Sequence, residues 1–154
     1  MCAGSFNLSN IVLVQKDVWF IIPLFPMFFL FYISMLAETN LPMTSEPMSF
    51  DEVKEVFAHY NTQIVGDIGK VLFIHDCHTP GGIGVHMVVI TDTGPVTVYY
   101  MPKTELDKDR INFDIEDTKA VLVAMQKGSV AIIADTQQQL ASIEPMLQNN
   151  LQFL

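Results

Sequence analysis

The chain has 154 residues, of which 50% are hydrophobic and only 16% are charged, against roughly 25% charged residues in an ordinary soluble domain. Its 17 acidic residues outnumber its 8 basic ones and give a formal net charge of −9. A surface that neutralises nucleic-acid phosphates is therefore excluded, and we expect no nucleic-acid partner. The length allows one folded domain beside an apolar segment.

That apolar segment lies near the start of the chain. Residues 18–37 are 20 residues without a formal charge, and at about 1.5 Å of helical rise per residue they cover a hydrocarbon core of ~30 Å. Pro23 and Pro26 fall within the run, and a membrane helix accommodates such prolines better than a soluble one. We predict a short tail over residues 1–17 and a transmembrane helix over residues 18–37 that contacts membrane lipid.

Two alternatives to a transmembrane helix remain open at the level of sequence. The segment is also compatible with a cleaved secretory signal peptide, although the run exceeds the usual apolar region of about 7–15 residues. A start site mis-assigned upstream of Met43 or Met48 is the second alternative. Lys16 lies closer to the apolar run than Lys54 does, which favours an N-terminus in the cytoplasm and the remaining chain in the periplasm.

The residues after the apolar run divide into a linker and a domain. Residues 38–48 mix polar residues with two prolines and predict an extended linker. The α+β domain is predicted over residues 49–154, where seven basic and 14 acidic residues give a charge of −7. Ser49 followed by Glu52 forms a capping box, and the apolar spacing that follows predicts a helix to about Asn61.

Turn signals then separate short apolar runs with a period of two. Thr79-Pro80-Gly81-Gly82 and Asp92-Thr93-Gly94 predict two hairpins, and hence a three-stranded antiparallel meander. Gln126-Lys127-Gly128 predicts a third hairpin. The predicted strands begin at Lys70 and then cover residues 85–90, 96–101, 120–125 and 129–134. The charged stretch from Lys103 to Arg110 is interpreted as a connection.

A second helix completes the predicted domain. Asp135 or Thr136 caps it, and Pro145 predicts a kink or an early break. The order of elements predicts an α+β fold in which an antiparallel sheet of about five strands is flanked by an N-terminal and a C-terminal helix. On simple alternation, Val71 shares a sheet face with Phe73 and His75.

Chemically reactive side chains concentrate at one strand end. His75, Cys77 and His86 are the candidate metal ligands, for zinc or copper, because a hairpin brings His86 towards a strand that carries the other two on one face. A closed zinc site normally needs four ligands. The alternative interpretation is that the histidines are satisfied by hydrogen bonds and that Cys77 is a small buried hydrophobe.

The remaining motifs do not indicate a catalytic or cofactor-binding site. The glycines from Gly81 to Gly84 precede a strand rather than a helix, which favours a hairpin over a phosphate loop. The acidic run between Asp107 and Asp117 lacks the central glycine and final glutamate of a calcium loop and is interpreted as a solvated surface. We therefore name no catalytic residue and no cofactor-binding residue, and an enzyme is not indicated.

The stretch Gly66–Pro102 carries a family resemblance. With Cys77 at a strand end, His86-Met87-Val88-Val89 and the strand Gly94–Val98, it resembles the periplasmic C-terminal domain of an uncharacterised group of gammaproteobacterial single-span membrane proteins. That domain has no known function, and longer members carry a cytoplasmic segment like an anti-sigma factor. The resemblance implies a bacterial inner-membrane protein with its domain in the periplasm.

Two functions follow as expectations. The first is a membrane-anchored, periplasm-facing interaction or sensory module, which meets a protein partner or a second copy through the sheet face that the helices leave uncovered. The alternative is a small metal-binding or thiol-redox protein that uses His75, Cys77 and His86.

Overall fold

A computed structural model describes residues 46–115 and 117–154. The predicted tail, the predicted transmembrane helix and the linker up to residue 45 lie outside the described residues. Neither helix among the described residues has the length and hydropathy that a membrane crossing requires. The elements in chain order are α1 (Phe50–Ala58), β1 (Thr62–Ile64), β2 (Lys70–Thr79), β3 (Gly82–Thr91), β4 (Gly94–Met101), β5 (Arg110–Ile115), β6 (Thr118–Ala124), β7 (Ser129–Ala134), α2 (Gln137–Asn150) and β8 (Leu151–Phe153).

Both helices begin where the sequence predicts a cap. The Ser49 hydroxyl accepts a hydrogen bond from the Glu52 backbone N–H, while the Glu52 carboxylate accepts one from the Ser49 N–H at 2.8 Å. Thr136 and Gln139 form the same reciprocal pair at the start of α2. Each pair satisfies backbone donors that a helix N-terminus otherwise leaves unbonded.

Helix α2 continues through Pro145 to Asn150, so the predicted early break is wrong.

The strands form one large and one small antiparallel sheet. The large sheet has the order β2-β3-β4-β7-β6-β5, and the small sheet pairs β1 with β8. The three predicted hairpins are present, as β2–β3, β3–β4 and β6–β7. The α+β class and the antiparallel arrangement are confirmed.

The main sheet has six strands rather than about five, because β5 lies in the stretch that the charged residues led us to interpret as a connection and a solvated surface.

One sheet face packs against the helices and forms the main core. Phe57 from α1 and Ile143 from α2 are both fully buried there. From the sheet, this face contributes a set of side chains that alternate along each strand: Val71, Ile74, Val85, Met87, Val89, Val96, Val98, Tyr100, Val121, Val123, Val130, Ile132 and Ala134. At about 1.5–3 kcal/mol for each large apolar side chain, this face supplies most of the hydrophobic stabilisation of the domain.

A register shift in β2 changes which residues share a face. The pairing jumps from Val71↔Val89 to Phe73↔Val88, so Leu72 is an extra residue in the strand. Val71 therefore belongs to the helix-covered core, whereas Phe73 and His75 lie on the opposite face. Placing Val71 with Phe73 and His75 was wrong, because a bulge reverses the alternation beyond it.

The opposite sheet face also contains buried side chains. Cys77, His86, Tyr99 and Leu122 are all less than 9% exposed. They alternate along their strands with the residues of the helix-covered core. The candidate metal ligands His75, Cys77 and His86 therefore lie on this face, which we call the second face.

Candidate functional site

An aromatic cluster centred on His86 occupies the second face. His75 lies directly opposite His86 in the β2–β3 pairing, and Tyr99 lies opposite His86 in the β3–β4 pairing. The His86 ring stacks on the Tyr99 ring with centroids 4.2 Å apart and planes 6° from parallel. The rings of His75 and Phe73 meet His86 edge-on, at 5.1 and 5.5 Å. The His86 imidazole on β3 thus packs between side chains of β2 on one side and Tyr99 of β4 on the other.

Burial decides the charge state of His86. Its side chain is 1% exposed, and burial, with a smaller contribution from the charge of His75, lowers the pKa of His86 to about 4. His86 is therefore neutral at pH 7. A neutral imidazole this deeply buried acts as a packing element rather than as a proton shuttle at neutral pH.

Cys77 lies beside this cluster but is inaccessible. It is 4% exposed, and its Sγ lies 3.6 Å from the backbone oxygen of His78. Thiol chemistry with an external reagent requires an exposed thiolate. The structure thus matches the interpretation of Cys77 as a small buried hydrophobe near the end of β2.

The structure brings two of the three candidate metal ligands into contact. His75 and His86 are direct neighbours, and Cys77 is two residues along the same strand on the same face. Among the described residues, no group of three or more histidine, cysteine, aspartate or glutamate side chains is close enough to hold a metal ion. Zinc or copper binding by His75, Cys77 and His86 stays a prediction.

A second polar group, which the sequence did not reveal, ties the end of α1 to the end of β2. The Tyr60 hydroxyl donates to Asp76 Oδ1 at 2.7 Å and lies 3.2 Å from the Gly84 carbonyl oxygen. Partial burial, and then the Asp76 carboxylate, raise the pKa of Tyr60, so this phenol stays protonated and donates. The only sequence signal was the position of Tyr60 on the apolar stripe of the helix, which does not predict a polar partner.

The glycine-rich stretch is a hairpin turn, as predicted. Gly81 has a φ of +84°, and a Cβ there would lie 2.7 Å from the Lys103 carbonyl oxygen. The Thr104 hydroxyl donates to the Pro80 carbonyl, which fixes the following connection against this turn. The glycines therefore serve the backbone path and not phosphate binding.

The predicted charged connection and acidic surface contain a strand instead. Ile111 and Phe113 alternate with polar residues in β5, and the Ala124 N–H donates to the Asp109 carbonyl at 2.8 Å at its start. Arg110 forms a bidentate contact with Glu144 of α2, with an Nε–Oε1 distance of 2.9 Å. Some of these charges thus hold the edge strand to the helix.

Most of this chain matches one known protein family. The model of a family described as "Protein of unknown function (DUF3379)" matches residues 34–151, which include the whole described α+β domain up to the first residue of β8. The chain belongs to the DUF3379 family. The expected domain of unknown function is therefore confirmed, whereas the match does not show the expected gammaproteobacterial single-span group.

The first third of the chain resembles a different family. An NADH dehydrogenase family model matches residues 1–55 and overlaps the DUF3379 match over residues 34–55. A subunit of the NADH-quinone oxidoreductase of Pelagibacter ubique (strain HTCC1062) is 49% identical over 67 residues, which are 43% of this chain and 19% of that protein. No solved structure matches this DUF3379 chain.

Two eukaryotic relatives show the same likeness. NADH-ubiquinone oxidoreductase chain 1 of Chondrus crispus is 48% identical over 64 residues, covering 41% of this chain and 18% of that protein. The protein of the same description from Arabidopsis thaliana is 37% identical over 102 residues, covering 66% of this chain and 27% of that protein. The chain thus spans less than a third of the length of each of these relatives.

These similarities correct the expected function. We expected a periplasm-facing interaction or sensory module, or else a metal-binding or thiol-redox protein. Neither function accounts for the match of residues 1–55 to NADH dehydrogenase. The prediction of a transmembrane helix over residues 18–37 uses only the length and hydropathy of that stretch, which do not reveal this likeness. Length and hydropathy identify a membrane segment but not the protein family in which it occurs.

Proposed function

We propose that this chain is a membrane-bound component of an NADH-quinone oxidoreductase, joined to that enzyme through its first 55 residues. The 49% identity over 67 residues with a subunit of such an enzyme is the observation that supports this most. The α+β domain is then an appended domain. Its partners in the proposal are the other subunits of the oxidoreductase.

The physical character of residues 1–55 supports a location at the membrane. The uncharged run at residues 18–37 lies within the segment that resembles NADH dehydrogenase. Quinones partition into the bilayer, so a subunit that serves a quinone-reducing enzyme belongs there. Membrane lipid is the expected partner of residues 18–37 in this proposal.

The described cluster supports a structural role in the domain rather than a role in electron or proton transfer. His86 is buried and neutral at pH 7, and Cys77 is buried beside it. Neither group offers an accessible site for chemistry with a soluble reactant. Contact of a partner or a second copy with the second face stays a prediction. Because His86, Cys77 and Tyr99 are already buried on this face, such a partner would contact the residues around them and leave their packing unchanged.

Native electrophoresis tests the proposal. We expect the tagged chain, extracted with mild detergent from membranes, to migrate in the band that oxidises NADH in the gel. Replacing Phe28 and Phe29 by Asp costs roughly 5–7 kcal/mol of membrane insertion, so this variant leaves both the membrane fraction and the band. The matched variant with Leu at both positions stays. A wild-type chain that is absent from the active band contradicts the proposal.

The finer topology is also proposed: a single crossing by residues 18–37 with the α+β domain outside the cytoplasm. Cys77 is too buried to report on it, so a thiol is introduced at the turn residue Gln126, in a Cys2→Ser background. We expect Gln126→Cys to react with a membrane-impermeant maleimide in intact cells. Reaction only after lysis places the domain in the cytoplasm and overturns this topology.

A further inference from the structure

We propose that the outer edge of β2, from Ile74 to His78, binds an extended basic segment of another protein as an added antiparallel strand. The inference concerns the α+β domain alone and does not rest on the proposed membrane function. It follows from the register of the sheet, the backbone groups left at its edge and the charges beside them.

The register fixes which backbone groups point out of the sheet. Thr79 pairs with Gly82 across a two-residue turn, so these two residues exchange both hydrogen bonds, and hydrogen-bonded pairs then alternate along the strand. Cys77↔Gly84 and His75↔His86 are therefore bonded pairs. The N–H and C=O groups of the residues on either side of them point away from β3; these residues are Ile74, Asp76 and His78.

An independent contact supports this assignment of the edge. Val71 belongs to a non-bonded pair before the bulge, so its carbonyl also points outward. The Met48 N–H donates to that carbonyl at 2.8 Å. The chain itself therefore places one backbone donor against the outer edge of β2 at Val71. The outward backbone groups of Ile74, Asp76 and His78 lie further along the same edge.

The edge from Ile74 to His78 has the dimensions of a strand-addition site. β2 is an outermost strand of the six-stranded sheet. Within residues 46–115 and 117–154, no backbone hydrogen bond joins Ile74, Asp76 or His78 to a residue outside the β2–β3 pairing. Five residues at about 3.3 Å each give ~17 Å, the length of an average strand. Three donors and three acceptors are available to an incoming backbone.

Charges beside the edge define the partner. Asp76 is exposed and stands in the middle of the available edge. At the Ile74 end of the edge, Glu46 and Glu52 line a groove of about 550 Å³ together with Leu72 and Phe73. A strand that carries Lys or Arg opposite Asp76 gains a favourable cross-strand pair, and its apolar residues can contact Leu72 and Phe73 in the groove.

The same charge argues against a second copy of this chain. A symmetric antiparallel pairing that uses all three outward residues places Asp76 directly opposite its own copy. Like charges directly opposite each other destabilise a sheet. The aspartate thus disfavours edge-to-edge association of copies and favours a basic strand.

Peptide binding to the full chain in detergent micelles tests this inference. The probe is the fluorescent peptide Thr-Val-Thr-Lys-Thr-Val-Thr, with a Glu peptide in which the lysine is replaced and a third peptide in which proline flanks the lysine on both sides. We expect the Lys peptide to bind, the Glu peptide to bind up to about fivefold more weakly, and the proline peptide not to bind. Hydrogen exchange at the Asp76 and His78 amides slows with the bound Lys peptide and not with the proline peptide.

Two matched variants locate the site. His78→Pro removes an outward N–H without removing a β2–β3 bond, so it weakens binding at least about tenfold, whereas His78→Thr keeps the N–H and binds normally. Asp76→Asn keeps the acceptor for Tyr60 and removes the preference for Lys over Glu. The inference is overturned if all three peptides bind equally, if His78→Pro leaves binding unaffected, or if the Lys peptide does not bind up to about 1 mM. If a variant unfolds, hydrogen exchange in the wild-type chain decides.

Discussion

His86 shows how a titratable side chain can serve packing. It stacks on Tyr99 at 4.2 Å and is 1% exposed. Such a ring contributes as an aromatic hydrophobe only while it is neutral, because charging it in this site requires desolvation of the cation. The residue and its hairpin partner could be identified from the sequence, but the burial that sets its pKa could not.

The lowered pKa of His86 predicts a stability change in mild acid. The pKa is about 4 in the folded protein against 6.5 ordinarily, so the unfolded chain binds the proton first as the pH falls. The contribution of neutral His86 to the free energy of unfolding is complete above pH 6.5 and is lost as the pH falls from 6.5 to about 4. We expect the free energy of unfolding to fall by about 2–3 kcal/mol in this window.

Urea titrations of the full chain in detergent micelles, followed by near-ultraviolet circular dichroism, measure this. The variant His86→Phe keeps an aromatic ring and should lose the part of the pH dependence due to His86. His78→Gln, at an exposed position of the neighbouring strand, should keep it. A profile for His86→Phe that matches the wild type would refute this role of His86 in the second face.

At the scale of elements, turn and cap residues predict the hairpins and helix starts correctly, whereas the apolar alternation of the strands misses one strand and one bulge. The three hairpins and both helix caps depend on a few residues with specific backbone roles, and all five are present. The bulge at Leu72 carries no local signal, because it depends on how β2 pairs with β3. β5 was missed because its charged residues hid the alternation of Ile111 and Phe113.

The turn between β6 and β7 offers a prediction at this scale. Gly128 has a φ of +72°, and a Cβ there would clash with the Met101 carbonyl oxygen and lie 2.8 Å from Pro102 Cα. Since both neighbours are backbone atoms, Gly128→Ala should reduce the free energy of unfolding by at least about 2 kcal/mol. Gln126→Ala in the same turn is the control and should change it by less than about 0.5 kcal/mol in denaturant titrations. Equal effects would contradict the proposed crowding.

At the scale of the whole molecule, two likenesses meet in one chain. Residues 34–151 match the DUF3379 family, and residues 1–55 match NADH dehydrogenase. Composition and hydropathy distinguished an apolar segment from an α+β domain. They could not predict the second likeness, because it depends on the order of residues within an apolar stretch and not on its physical character.

The most direct test of the central claim is the molar ratio of this chain to the subunits of the NADH-quinone oxidoreductase. The NADH-oxidising band of a native gel is excised and quantified by mass spectrometry with isotope-labelled peptides. We expect peptides from the α+β domain in a fixed, near-equimolar ratio to the other subunits across preparations. A chain that is abundant in the membranes yet absent from that band, or present at a variable trace level, contradicts membership of the enzyme.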